Sequence, residues 1–228
     1  MRIAQIVTIS FLASLVFFLT QTSLAQTQPV FLTSWKAYNF IPPGFSGKSL
    51  PLPRGTTVGV AFEILNDGKI IDVSKNNIKF FVNNQKRAEG IGLRGFRFAT
   101  FDGQPGQTIR MVILNARDEI VYEHRFTIPT TKPEIVINHP YSLNLIDRGF
   151  NYFQALPYFF NIERIGDLVF NWTVNGAAPA DTAENPDIIE LDVPSEFSSG
   201  GNIAIQATAQ NRVNQLEMAL ETINLTTR

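Results

Sequence analysis

The sequence contains no cysteine, and this absence removes disulfide bonds, thiol nucleophiles and cysteine-ligated metal centres together. Histidine is scarce as well, because His124 and His139 are the only two in the chain. Charged residues make up 17% of the sequence, below the roughly 25% of an average domain, so we expect a surface rich in Asn, Gln, Ser and Thr. Stability must therefore come from packing rather than from covalent cross-links.

Motifs of the common catalytic and phosphate-binding sites are also absent. The chain has no Gly-x-Ser-x-Gly, no His-Glu-x-x-His and no glycine-rich phosphate loop. His124 falls on the apolar face of a predicted strand, which is typical of a core histidine. Glu190 and Asp192 are candidates for a glycosidase-like carboxylate pair, but their alternation with apolar residues favours a solvated strand face. We predict no catalytic residue and no cofactor.

Aromatic and β-branched residues are abundant. The 228 residues are 44% hydrophobic and 11% aromatic, and they include 19 Phe. This composition excludes disorder. Together with many Val, Ile and Thr residues, it favours strands over helices.

One stretch of β type occurs twice in the chain. Phe170, Trp172 and Val174 alternate with polar residues, and the pair Asn175-Gly176 follows at once. This pattern predicts a half-buried strand that ends in a tight hairpin turn. A weaker copy lies 92 positions upstream, with Ile78, Phe80, Val82 and the pair Asn83-Asn84 in the corresponding places. A repeat of about ninety residues predicts two small domains.

The N-terminal segment, residues 1–25, is ordered like a secretory signal peptide. A short basic start precedes an apolar run over residues 6–19, and Ser23 and Ala25 put small residues where signal peptidase reads them. The run is shorter than the ~20 apolar residues that a spanning helix needs. We predict an extracytoplasmic protein cleaved between Ala25 and Gln26. The alternative is an uncleaved anchor, the one case in which a membrane would be a partner.

Residues 26–129 carry the spacing of a first β-sandwich, in which short apolar and polar alternations recur between turn signals. The predicted strands are an edge strand over Phe31–Tyr38, followed by Val58–Ile64, Lys69–Val73, Ile78–Val82, Phe96–Phe98, Ile109–Ile113 and Ile120–Ile128. Seven short strands in about a hundred residues fit an immunoglobulin-like β-sandwich without its disulfide.

A stretch rich in aromatic residues and prolines follows the edge strand. Its proline density forbids a central strand, so we predict an extended crossing segment up to Pro53. The aromatic residues include Trp35, Tyr38 and Phe40. They either fold back as the lid of the first core, which we favour, or form an exposed binding surface.

A polar linker with two nearby prolines, residues 130–133, predicts a stiff elbow before a second sandwich over residues 134–228. The strands predicted there are Ile135–Ile137, Leu156–Ile162, Phe170–Val174, Ile189–Val193, Ile203–Ala209 and Leu216–Ile223. The last segment also has helical spacing, but its position in the repeat favours a strand.

One loop of the second half contains several oxygen ligands of the kind that calcium takes. These residues are Asp181, Glu184, Asn185 and Asp187. Their spacing does not match an Asp-x-Asp-x-Asp-Gly loop or a cadherin-type acid cluster, so we predict no metal site.

The tandem arrangement, the single core Trp172 before the turn at Val174-Asn175-Gly176, and the closing strand pair resemble known modules. They are similar to the bacterial immunoglobulin-like or PKD-like modules of exported surface proteins, over residues 30–228. The resemblance implies an all-β fold of two immunoglobulin-like β-sandwiches in tandem after the signal peptide. It also implies a spacer or binding module without catalysis.

The formal net charge of −1 conceals an uneven distribution. Residues 26–130 contain 13 Lys and Arg against 8 Asp and Glu, whereas residues 131–228 contain 5 against 12. Six cations of the first half come from one stretch, and they are Lys75, Lys79, Lys86, Arg87, Arg94 and Arg97. Lys79 and Arg97 alternate with apolar residues, which predicts a basic outer sheet surface. Domains of opposite sign favour head-to-tail contact between copies.

Two classes of function follow from these observations. The first is a non-catalytic exported surface, adhesion or assembly module that acts through protein–protein or protein–glycan contacts. Its partners would be other surface proteins or copies of itself, with an anionic glycopolymer as the alternative. The second class is a polysaccharide-binding accessory domain of a secreted hydrolase, or the hydrolase itself. The predicted contact residues are the six cations together with Trp35, Tyr38 and Phe40.

Overall fold

The computed structural model describes residues 28–101, 103–141, 143–179 and 185–228. These residues form fifteen strands and one 3₁₀ turn, Ile165–Asp167. The strands make four sheets around two separate hydrophobic cores. The predicted all-β fold of immunoglobulin-like sandwiches is thereby confirmed. No helix in this described part of the chain is long and apolar enough to cross a membrane.

The first sandwich is built from eight strands. They are β1 (Val30–Tyr38), β2 (Thr57–Asn66), β3 (Lys69–Ile70), β4 (Asn77–Val82), β5 (Gln85–Ile91), β6 (Gly95–Ala99), β7 (Gly106–Leu114) and β8 (Ile120–Pro129). In one sheet β2 pairs with β1, and also with β3 and β6. The facing sheet has the order β5-β4-β7-β8.

Alternation along the strands decides which side chains enter the first core. In β2 the buried residues are Val58, Val60, Phe62 and Ile64. They face the buried side chains of β4, which are Ile78, Phe80 and Val82. Burying each such side chain contributes roughly 1.5–3 kcal/mol. The inward half of each strand is therefore fixed by packing, and the outward half is free to carry function.

The second sandwich has seven strands. They are β9 (Glu134–Asn138), β10 (Leu145–Ile146), β11 (Gly149–Tyr158), β12 (Leu168–Val174), β13 (Ile188–Val193), β14 (Asn202–Asn211) and β15 (Met218–Thr227). One sheet has the order β13-β11-β9, and the other has the order β10-β15-β14-β12. Trp172 of β12 is only 6% exposed and lies in the core between them. The ambiguous last segment is a strand, as predicted.

Three local predictions need correction. The strand predicted over Leu156–Ile162 is β11, which begins at Gly149 and ends at Tyr158, because Phe159 takes a left-handed backbone with φ 66°. Strand β5 was not predicted at all. The turn at Asn175-Gly176 forms, with φ 51° and 80°, but the described residues around it form a single bridge, Val174 to Ala177, and no named strand pair.

Corresponding sheets of the two sandwiches have the same plan. In the first, β2 is flanked by the antiparallel strands β1 and β6. In the second, β11 is flanked by the antiparallel strands β9 and β13. Each sheet therefore presents an outer face built from three adjacent strands.

The crossing segment joins the two sandwiches instead of covering only the first. The Phe40 N–H donates to the Phe160 carbonyl at 2.7 Å, and the Phe159 N–H donates to the Phe40 carbonyl at 2.8 Å. The Phe45 ring packs edge-on against Tyr158, with centroids 5.5 Å apart. The predicted lid is thus wrong for Phe45, whose ring contacts the second sandwich, and Phe40 pairs with that sandwich through its backbone. Trp35, in contrast, packs on the first core.

A buried polar network lies beside this pairing. The Thr56 hydroxyl donates to Asn161 Oδ1 at 2.7 Å, and Asn161 donates through its N–H and Nδ2 to Glu217, each at 2.9 Å. Asn211 and Asn214 also donate side-chain hydrogen bonds to the Glu217 carboxylate. Glu217 is 6% exposed and Thr56 fully buried, so these bonds form away from competing water.

Candidate binding faces

The six predicted cations do not share one sheet surface. Lys79 belongs to β4 and Arg97 to β6, and these strands lie in opposite sheets of the first sandwich. Alternation places both side chains outward, but it does not reveal which sheet a strand joins. The single basic sheet surface expected from the sequence is therefore divided between two sides of the molecule.

Most of these cations are already engaged. Lys79 and Lys86 both pair with Glu89, at 3.5 and 2.8 Å. Hydrogen bonds from Lys86 and then Asn77 lower the pKa of Glu89 from 4.5 to about 2. Arg94 pairs with Glu63 at 2.6 Å. The Arg87 guanidinium lies over the Phe101 ring, 4.0 Å from its centroid, and Lys75 is exposed in the loop before β4.

Arg97 belongs to a compact cluster on the outer face of β1, β2 and β6. Gly59 of β2 lies directly between Lys36 of β1 and Arg97 of β6 in the strand register. The Tyr38 ring lies over Gly59, where an added Cβ would come within 3.3 Å of a ring carbon. Lys36 Nζ and the Arg97 guanidinium carbon lie 5.4 and 4.9 Å from the Tyr38 ring centroid. We call Lys36, Tyr38, Gly59 and Arg97 the basic face.

The basic face borders a shallow depression of about 550 Å³. Its floor is the next row of the sheet, in which Ser34, Ala61 and Gly95 are paired side by side. A second depression, of about 510 Å³, lies along β1 and includes Trp35 and Lys48. Lys48 Nζ lies 3.6 Å from the centroid of the Trp35 ring, and partial burial lowers the pKa of this lysine. Small residues thus leave room for a ligand beside Tyr38.

The two cations of the basic face are not ion-paired within the described part of the chain, where no carboxylate lies in ion-pair distance of Lys36 or Arg97. Both side chains are exposed, and the Tyr38 ring is 44% exposed. Arginine offers a planar pair of donors and lysine a point charge, and both suit carboxylate, sulfate or phosphate groups. This face can therefore hold an acidic group against an aromatic ring.

The second sandwich carries a face of opposite sign on its corresponding sheet. Phe150 of β11 lies opposite Asp192 of β13, and Tyr152 lies opposite Glu190. Phe150 is 86% exposed and Tyr152 is 47% exposed. The solvent exposure predicted for the two acids is confirmed, and neither forms an ion pair within the described ranges. We call these four residues the acidic face.

A larger cavity, about 780 Å³, is a groove between the crossing segment, the start of β9 and the start of β15. Four exposed apolar side chains line it: Val136, Leu216, Met218 and Leu220. Its rim carries basic Arg54 and Lys132 as well as acidic Glu134 and Glu221. Because its rim carries both signs of charge, the groove does not favour a ligand of either sign.

The remaining candidates carry less chemistry. His124 stacks on Phe31 with centroids 4.6 Å apart, and partial burial lowers the pKa of this histidine. Asp181 and Glu184 of the acidic loop lie outside the described residues. Asp187 is buried and accepts a hydrogen bond from Gln154 at 3.0 Å. Within the described ranges, no group of three or more His, Asp or Glu residues is placed to hold a metal ion.

These features define a tandem immunoglobulin-like β-sandwich protein whose distinctive chemistry lies on its outer sheet faces. No family model matches the sequence, and no curated protein matches it. Solved structures similar to the chain contain immunoglobulin-like and fibronectin-like modules.

One similar structure contains the fibronectin(III)-like modules of Clostridium thermocellum CbhA, at 11% identity and TM-score 0.31, covering 86% of this chain and 94% of that one. Another contains three N-terminal domains of the outer capsid protein Hoc of bacteriophage RB49, at 10% identity and TM-score 0.42, covering 88% and 59%. A third is Bacteroides ovatus SGBP-B in complex with a mixed-linkage heptasaccharide, at 7% identity and TM-score 0.26, covering 86% and 47%.

Proposed function

We propose that the chain is an exported, non-catalytic binding module that holds an acidic partner on its basic face. The observation that carries this proposal is the pair of exposed cations, Lys36 and Arg97, on either side of the Tyr38 ring. Elsewhere in the first sandwich, Lys79 and Lys86 pair with Glu89, and Arg94 pairs with Glu63. Lys36 and Arg97 differ from these cations because they lie beside an exposed aromatic ring and a depression.

Each member of the basic face has a distinct part in binding. Arg97 can donate two parallel hydrogen bonds to one carboxylate, and Lys36 can neutralise a second negative group. The Tyr38 ring offers a flat, half-exposed surface for an aromatic side chain or the apolar side of a sugar ring. Acidic protein surfaces and anionic glycopolymers both present this chemistry. The proposed role is surface adhesion or assembly outside the cytoplasm, after removal of the predicted signal peptide.

The junction supports a role as a stiff spacer as well. Main-chain bonds from Phe40 and the network around Glu217 tie the crossing segment to the second sandwich. The Thr131 N–H also donates to the Pro51 carbonyl at 3.0 Å, which ties the predicted linker to the same segment. A binding face held on a stiff rod keeps its orientation relative to whatever the other end contacts.

Binding to immobilised probes tests this proposal. The chain from Gln26 is passed at low salt over polygalacturonate, heparin, neutral dextran and immobilised copies of itself. We expect retention on at least one acidic probe, and a loss of about tenfold or more in Lys36→Glu/Arg97→Glu, because like charges then oppose each other. The matched control is Lys75→Glu/Arg117→Glu, which makes the same charge change at exposed loop positions. Equal binding by the two variants would refute the proposal.

The position of the Tyr38 ring can be tested without changing any charge. Gly59→Val puts a side chain where the Tyr38 ring now lies, so the ring must move away from between Lys36 and Arg97. We expect weaker retention on the acidic probe with an unchanged circular dichroism spectrum. Ala204→Val, at an outward strand position of the second sandwich, is the control and should bind like the parent.

The alternative function is a polysaccharide-binding accessory domain or a hydrolase. It would bind some of the same polysaccharides as the proposed module. Incubation of the chain with the retained polysaccharide, followed by a reducing-sugar assay, separates the two. The proposed module binds the polymer and releases no sugar. Release of sugar that depends on Glu190 and Asp192 would establish the enzyme instead.

A further inference from the structure

Strands β9, β11 and β13 occupy in the second sandwich the places of β1, β2 and β6 in the first. The outer faces of these two corresponding sheets carry opposite charge. One presents Lys36 and Arg97 around Tyr38, and the other presents Glu190 and Asp192 beside two aromatic rings. The charge counts of the two halves agree in sign with these faces. Residues 26–130 contain 13 basic and 8 acidic residues, and residues 131–228 contain 5 basic and 12 acidic residues.

The two aromatic residues of the acidic face are more exposed than side chains that stabilise a sandwich by burial. Phe150 is 86% exposed and Tyr152 is 47% exposed on adjacent outward positions of β11. Exposed aromatic rings grouped with charged residues mark interaction sites more often than isolated apolar residues do. At the other end of the same sheet, Tyr158 is covered by Phe45. At the open end, by contrast, no aromatic ring among the described residues packs on Phe150 or Tyr152, and both stay exposed.

We propose that the acidic face of one copy docks on the basic face of a second copy, so that the copies join head to tail. This inference rests on the proposed function, because the basic face is the acceptor in both. Charge complementarity selects the occupant, since each face lacks an internal counterion within the described ranges. The aromatic rings of the two faces then cover each other.

The spacing of the charges is compatible with this pairing. Lys36 and Arg97 lie on either side of β2, so their backbones are about 10 Å apart, or two strand spacings. Glu190 and Asp192 lie two residues apart on β13, about 7 Å. Lysine and arginine side chains are long enough to span this difference. Each cation can therefore reach one carboxylate while Tyr38 meets Phe150 or Tyr152.

Such a contact is heterologous, because two different surfaces meet. Every added copy leaves one basic and one acidic face free at the ends, so the assembly closes into a ring or extends as a filament. The stiff junction favours one repeated geometry over a mixture of shapes.

Charge reversal with mixing tests the inference. Lys36→Glu/Arg97→Glu has two acidic faces, and Glu190→Lys/Asp192→Lys has two basic faces. In sedimentation velocity at about 0.01 M salt, where the Debye length is ~30 Å, the parent chain should associate and each variant alone should remain monomeric. An equimolar mixture of the variants should associate again, because every interface then has opposite charges. Lys75→Glu/Arg117→Glu should behave like the parent.

The contradicting results are specific. Variants that associate alone like the parent, or a mixture that stays monomeric, would overturn the head-to-tail contact. A parent chain that stays monomeric at low salt yet binds polygalacturonate or heparin through Arg97 would overturn this inference and leave the proposed function standing. A chain that binds neither itself nor any acidic probe would overturn both the head-to-tail contact and the proposed function.

Discussion

The sequence predicts the burial of Trp172 but not its hydrogen bond. Its alternation with Phe170 and Val174 predicts an inward side chain, and it is 6% exposed in the second core. The sequence does not reveal that its indole N–H donates to the Pro186 carbonyl at 3.1 Å. That bond joins β12 to a loop 14 residues away, and turn signals alone do not place that loop.

Trp172→Ala should therefore destabilise the second sandwich by roughly 3–5 kcal/mol, the usual cost of deleting a large core aromatic residue. Urea unfolding followed by circular dichroism measures this loss. Tyr152→Ala is the control, because this ring is 47% exposed and should cost far less. A Trp172→Ala variant that melts within about a degree or two of the parent would show that the core is built differently.

Glu89 provides a test of pH dependence. Its pKa falls from 4.5 to about 2 in the folded protein, because Lys86 and Asn77 donate hydrogen bonds to its carboxylate. A folded-state pKa below the unfolded value adds stability above about pH 4.5, and that contribution is lost as the pH falls towards about 2. Glu89→Gln should thus melt below the parent at neutral pH, with the difference shrinking in acid. Calorimetry across this range checks it, with exposed Glu196→Gln as the control.

At the scale of strands, alternation succeeds where one face is buried. Strands β2, β4, β7 and β8 contain long apolar alternations, and they form where the sequence predicts them. Strand β5 lacks this signal, because its exposed side chains other than Ile91 are polar or charged and only Ala88 packs on the core. It exists because the Asn83-Asn84 turn, with φ 47° and 66°, folds the chain back onto β4.

The two hairpin signals have different outcomes. After Asn83-Asn84 the chain continues as β5, paired with β4. After Asn175-Gly176 the described residues form a single bridge, Val174 to Ala177. A turn signal therefore predicts a reversal of the chain but not the strand pairing that follows.

The candidate site was only partly predictable for the same reason. Periodicity places Arg97 outward. For Tyr38 the sequence favours a lid over the first core, with a binding surface as the alternative, and the side chain is 44% exposed. Lys36 and Gly59 were missed, since their roles depend on the register of β1, β2 and β6. Register across strands far apart in sequence is set by packing of the whole sheet. One signal is present in the sequence: Gly59 is a glycine inside a predicted strand, and it lies beside aromatic and basic residues in the sheet.

At the scale of the whole molecule, the junction is the least predictable feature. The Thr56–Asn161 bond spans 105 positions and the Asn39–Phe159 bond spans 120. Prolines in the linker predicted stiffness, but no local pattern indicated that the crossing segment would pair with the second sandwich. Such long-range pairs become visible only when both cores are assembled.

Asn161→Ala should loosen this junction. It removes the acceptor of the fully buried Thr56 hydroxyl, and an unsatisfied buried donor costs about 1–3 kcal/mol. Glu217 loses one side-chain donor but keeps those of Asn211 and Asn214. We expect a lower melting temperature and a broader distribution of distances in small-angle X-ray scattering. Asn171→Ala, at an exposed position of β12, is the control and should change neither. An unchanged scattering profile in Asn161→Ala would show that other contacts hold the two sandwiches together.

Zero-length cross-linking of mixed unlabelled and ¹⁵N-labelled chains gives the most direct view of the contact between copies. A carbodiimide joins an amine to a carboxylate only where the two touch, and Lys36 supplies the amine of the basic face. At low salt the dimer band should contain mixed-label peptides that link Lys36 to Glu190 or Asp192, and these should disappear at about 0.15 M salt, where the Debye length is ~8 Å. Mixed-label links confined to other sites, such as Lys132 with Glu221 at the groove, would contradict docking between the basic and acidic faces.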